Sequence, residues 1–214
     1  MIHAGHLRSG PGSLESVVER YEYRRRGCHI VLTVRQEWPR AVSDVEVVFD
    51  EEWRPLRAWK RMTVPGSEVV DTRWYELRVD PAQMTWRGEE GLQHFWFRGG
   101  SPIAVVGPGR GVFSAWIQSE GGLEVGETVR GPVLDFRSLV ERVKEVALRR
   151  DPDRDVPGLG RVQVYTVFGR ESLYVDEDGW VVGDLGGLRP DAMLDTPPPA
   201  PLPSATPPDP RGTP

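Results

Sequence analysis

The run GRVQVYTVFGRESLYVDEDGWVVGDL, from Gly160 to Leu185, constrains the fold of this chain more than any other stretch. Val162, Val164, Thr166 and Phe168 alternate with Arg161, Gln163, Tyr165 and Val167, the period of two that a pleated strand imposes. Gly169 to Glu171 reverses the chain, and Leu173 to Asp176 makes a short second strand. Glu177, Asp178 and Gly179 form a tight turn, with Gly179 where a left-handed backbone is needed. Trp180 to Leu185 completes an antiparallel meander. The run specifies a scaffold and carries no chemistry.

The chain before it reads as more of the same. Val17 to Arg25, His29 to Arg35, Val45 to Phe49, Leu56 to Val64 and Val69 to Val79 all show strand-like alternation. Turn signals separate them: Arg26-Gly27, Pro39, the polar stretch Asp50 to Pro55, and Pro65-Gly66. Ala82 to Arg87 and Leu92 to Arg98 form a hairpin around Gly88 to Gly91, and Ile103 to Val106 is another short strand. Strands at about eight-to-twelve-residue spacing imply an antiparallel all-β fold. No internal repeat is visible, which disfavours a propeller.

One segment departs from this pattern. Ser138 to Arg150 places Leu139, Val140, Val143, Val146 and Ala147 at helical spacing, and Ser138 with Glu141 has the form of a capping box. A helix packed across one sheet face is expected there. Residues 1–16 are rich in Gly, Ser and His and read as a flexible lead-in; residues 17–190 read as the β domain. Residues 191–214 form a Pro-rich tail expected to be disordered, with nine prolines in the last 19 residues. That tail is either a spacer or a ligand for a proline-recognising groove on a protein partner.

Charge and cysteine content narrow the function. The formal net charge of −5 argues against a dedicated nucleic-acid binder, which needs a basic surface. Cys28 is the sole cysteine, which excludes an intrachain disulfide and a thiolate metal site. No apolar run approaches a membrane span, and the N-terminus carries no hydrophobic secretory core. The expectation is a cytoplasmic protein as the sequence stands, or a periplasmic one if a signal lies upstream.

Motifs for chemistry are absent or incomplete. Asp151 to Asp155 resembles the start of a calcium loop, but Val156 and Val162 stand where the pattern needs Gly and Glu. A charged connection is the better reading. Gly107 to Phe113 is glycine-rich and carries Arg110, yet it lacks the Gly-Lys-Ser/Thr ending of a phosphate loop and no βαβ pattern surrounds it. It reads as a flexible connection. His3, His6, His29 and His94 have no neighbouring acid or nucleophile in a recognisable signature. No catalytic residue, metal ligand or cofactor site is expected.

The aromatic residues carry the functional lead. Trp59, Trp74, Trp86 and Trp96 fall in four successive strands, Trp116 follows, and Arg61 and Arg73 lie among them. Such a set packs a core, or lines an apolar concavity for an acyl chain with arginine at its mouth for an anionic head group. Stacking of nucleobases is the third reading, and the acidic total weighs against it.

The second half has a further pattern. Phe113 to Trp116 is followed by Leu123 to Glu127, Pro132 to Phe136, Gly169 to Glu171 and the hairpin Asp176 to Val182. Earlier, Val47 to Asp50, Trp53 and Pro55 to Arg57 mark a step between strands. This layout resembles bacterial envelope domains of unknown function with a curved antiparallel sheet, similar in shape to lipoprotein carriers of the LolA and LolB type. The resemblance implies a mainly β fold: a single curved sheet or half-barrel with one helix across it. It also implies that acyl chains sit between sheet and helix, with no chemical step. Together with the aromatic content of the strands, the expectation is a lipid or other amphipathic ligand on the apolar concave face, bound by Trp59, Trp74, Trp86, Trp96, Trp116, Arg61 and Arg73. A structural or protein-interaction module without a small-molecule ligand is the alternative.

Overall fold

Alternation and turn chemistry build a mainly β molecule with one helix. The structure, a computed structural model, describes residues 2–9, 17–64, 66, 70–76, 83–88, 91–96, 103–107, 109–135, 143–186 and 188–190. Eight strands follow one another as a meander: β1 (His3–Ser9), β2 (Val18–Arg26), β3 (His29–Trp38), β4 (Ala41–Phe49), β5 (Pro55–Thr63), β6 (Val70–Glu76), β7 (Gln83–Gly88) and β8 (Gly91–Trp96). They curl as a half-barrel.

A second sheet starts at β9 (Ala104–Val106). The helix α1 (Val112–Ser119) carries the chain across to β10 (Thr128–Asp135), which pairs with β9 in parallel. Parallel neighbours need such a crossover, because a tight hairpin cannot join them. The meander continues through β11 (Val143–Val156), β12 (Gly160–Val167), β13 (Glu171–Val175) and β14 (Val181–Asp184). The chain then returns to the first sheet as β15 (Leu188–Pro190), which pairs with β1. Two sheets therefore stand where the sequence suggested one.

The helix lies between the sheets. Val112 and Ala115 join the core of the first sheet, while Phe113, Trp116 and Ile117 join that of the second. A helix with apolar residues on two faces belongs between two sheets of this kind. On the first sheet Tyr21, Tyr23, Leu32, Val34, Val45, Val47 and Ala58 define the inner face, each 3% exposed or less. Trp180, from the turn before β14, enters among Tyr23, Trp53 and His3, with its ring stacked on His3 at 4.2 Å.

Four expectations are corrected. From Val143 onward the segment read as a helix is the strand β11, and residues 138–142 lie outside the described residues. The apolar positions that fit a helical stripe also supply Val146, which alternates with the exposed Glu145 and Arg149 once β10 and β12 pair on either side. Asp151 to Asp155 is no loop. It lies within β11 beside a bulge, and Asp151 and Asp153 are taken up by Arg149, Arg150 and Arg161. The glycine-rich connection leads into α1, which the sequence reading had missed. The lead-in contains β1, held by β2 and β15. The Pro-rich tail lies outside the described residues.

The meander that opened the reading is present as β12 to β14, with Gly179 left-handed at φ 85°. Trp116, at 1% exposure, is the largest side chain filling the space between helix and second sheet. Trp116→Ala is expected to cost about 3–5 kcal/mol in chemical denaturation. A loss below about 1 kcal/mol would place the helix elsewhere.

Candidate functional site

A buried helix start has backbone N–H groups with no partner inside the helix. Here Gly111 is the N-cap of α1 and supplies no side-chain cap. Glu19 of β2, from the first sheet, instead holds the backbone just ahead of the helix. Its Oε2 accepts the Arg110 N–H at 2.8 Å, and its Oε1 accepts the Gly111 N–H at 2.6 Å. Gly111 is required at this spot, because a Cβ there would stand 2.4 Å from the Tyr21 ring. Tyr23 adds a second tie: its hydroxyl donates to the Gly111 carbonyl at 2.7 Å and accepts the Ala115 N–H at 3.1 Å.

The Arg110 side chain points the other way, into the second sheet. Its Nε donates to Asp184 at 2.6 Å and its Nη1 to Glu171 at 3.0 Å. The loop is thus fastened to both sheets, by backbone to β2 and by guanidinium to β13 and β14. Glu19 has 0% exposure. Burial pushes its carboxyl up to about 7; the Gly111 and Arg110 amides and the Arg110 charge pull it down, and Asp184 pushes it up.

A polar row continues from Glu19 across the inner face. Glu19 stands opposite Gln36 on β3, and Gln36 opposite Ser43 on β4. All three are buried. Beside this row, Lys60 of β5 pairs with Val45 and is 3% exposed. The register extends both sets of positions outward. Lys60, Arg73, Trp86 and Gln93 occupy one row, and Ala58, Tyr75, Met84 and Phe95 the next.

The residues expected to bind a ligand divide between places. Arg73 and Trp86 share the inner-face row of Lys60. Trp59, Trp74 and Arg61 fall on the opposite register, as does Trp96 through Gln83 and Glu76. Trp59 is 5% exposed and donates its indole N–H to Glu46 Oε1 at 3.2 Å, whereas Arg61 is exposed. Trp116 belongs to the core. Sequence reasoning passed over Glu19, Arg110, Gln36, Ser43 and Lys60. For Lys60 a signal existed, since it is one of only two lysines and sits between apolar strand positions.

Among the described residues no group of three or more His, Cys, Asp and Glu is placed to hold a metal ion. Among them, too, no helix is long and apolar enough to cross a membrane. No protein-family model matches the chain, and no curated protein matches it. A solved structure of a DUF1089 family protein from Pseudomonas aeruginosa is similar to it with a TM-score of 0.53 and 16% sequence identity. The match covers 85% of this chain and 94% of that one. The likeness is one of fold: the two chains share an architecture.

Arg110→Met tests the fastening to the second sheet. It leaves Asp184, whose side chain is 5% exposed, without its guanidinium. Because the Arg110 side chain is itself 23% exposed, the expected loss is about 2–3 kcal/mol by denaturant titration, below a fully buried pair. Adding Asp184→Asn should recover part of that loss; no recovery would mean that the pair is not the seat of the effect.

Proposed function

We propose that this is a non-enzymatic binding protein that holds an amphipathic ligand on the inner face of β5 to β8. The supporting observation is the register. The inner face of the first sheet runs on from the core through Ala58 to the positions of Tyr75, Met84 and Phe95, with Lys60, Arg73 and Trp86 in the adjacent row. One row is apolar and the other carries two cations, which suits a ligand with an acyl chain and an anionic head group. Each buried methylene contributes about 0.8 kcal/mol, and arginine forms charge-assisted hydrogen bonds with carboxylate or phosphate. Binding and release need no chemical step.

Titration calorimetry of the full chain with oleate, and with dodecyltrimethylammonium as a cationic comparator, tests this reading. Oleate is expected to bind and the cation to bind more weakly. Arg73→Met and Trp86→Ala should each weaken oleate roughly tenfold, about 1.4 kcal/mol, while Arg61→Met and Trp74→Ala on the opposite register leave it nearly unchanged. Equal losses from both pairs, or no oleate binding at all, would reject the inner-face site. Absence of binding would favour the interaction-module reading, in which β8, the last strand of its sheet, accepts a partner strand.

A further inference from the structure

We propose that Glu19 carries a proton when the two sheets are closed on α1, that this proton is shared with Gln36, and that its loss to water loosens the junction. The inference is independent of the ligand reading above.

The geometry begins with two buried groups. Gln36 and Ser43 are 4% and 0% exposed, and among the described residues Gln36 Oε1 and Ser43 Oγ have no hydrogen-bond partner. Such groups are costly to leave unmade. The Gln36 amide meets Glu19 Oε2 with its nitrogen at 3.5 Å, the long limit of a hydrogen bond. A half-turn of the amide exchanges its oxygen and nitrogen. Gln36 Oε1 then faces Glu19 Oε2, an arrangement that attracts only if the acid bears the hydrogen. The protonated oxygen donates to Gln36 and still accepts the Arg110 N–H. The same half-turn turns the amide nitrogen away from Glu19, toward the side of its register neighbour Ser43. Ionised Glu19 leaves both orphans in place; neutral Glu19 gives the nearer one a partner.

The surroundings agree. The charged and titratable groups facing Glu19 are Arg110 from the loop, Asp184 from β14 and, on its own strand, Tyr21 and Tyr23. Glu171 of β13 is reached through Arg110. On its flanks, β1 opposes Glu19 with Leu7 and β3 with Gln36. Arg110 is the one cation of this set, and it is already bound to two carboxylates of the second sheet. Burial raises the Glu19 carboxyl from 4.5 to about 7.

The sign follows from linkage. A carboxyl raised in the closed state stabilises that state fully below its open-state value and loses the contribution as pH rises through about 7. Opening passes the proton to bulk water as hydronium and leaves a hydrated carboxylate. The interval from 4.5 to about 7 limits the change in the opening equilibrium to about 300-fold.

The test uses the full chain labelled with carboxyl-13C glutamate. The Glu19 resonance is assigned by its absence in Glu19→Gln, or by its displacement in Gln36→Leu, which keeps both amide bonds to Glu19. It is expected to titrate near neutrality. Hydrogen-exchange protection of the Arg110 and Gly111 amides, corrected for the intrinsic pH dependence of exchange, is expected to fall by up to about 75-fold between pH 5 and 8.5. Titration in the ordinary carboxylate range, or protection unchanged across that pH interval, would overturn the proposal.

Discussion

A buried helix start holds its place only if the backbone amides around it find partners. In this protein Glu19, from a different sheet, meets those of Arg110 and the N-cap Gly111. The rest of the architecture depends on that contact, because α1 is the crossover that starts the second sheet and the filling that separates the two. A carboxyl group reaching across costs desolvation, which also favours its protonated form. Two short backbone hydrogen bonds offset that cost, and Arg110, fixed to Asp184 and Glu171, sets the electrostatic balance. Removing either half of this rivet leaves a buried polar group unsatisfied, which is a larger loss than the hydrogen bond itself.

With the helix in place, the two faces of the first sheet have different roles. The inner face packs on α1 near β2 to β4 and then runs on through β5 along the register to β8. The outer face carries the exposed Arg61 and the buried Trp59, and its register also holds Trp74 and Trp96. Alternation makes this division strict: a shift of one residue would exchange the two sets. Eight tryptophans in a small β protein thus serve several purposes, some in the core and some along opposite registers.

Much of the strand pattern was legible in the residues. β2 to β8 and β12 to β14 fall where alternation and turn residues put them, because each is a local signal of period two ended by Gly, Pro or a polar cluster. Two of the failures, α1 and β11, share a cause. α1 is only eight residues long and starts at Gly111, which offers no side-chain cap, so it has too few turns to show a stripe and no local start signal. β11 carries valines spaced as a helix would space them, and only pairing with β10 and β12 decides for the strand.

The candidate site shows the same limit. That aromatics and cations interleave along the strands is a property of the sequence, as are the mainly β character and the order of the hairpins. Which of them share a face was also encoded there, through period two, but only once the register between strands is known. The tertiary structure alone decided that there are two sheets, that a helix lies between them, and that Glu19, Gln36, Ser43 and Arg110 come together. Those residues are separated by up to 91 positions between Glu19 and Arg110, and no local propensity couples groups so far apart. Their association follows from the burial of α1, a property of the whole packed chain.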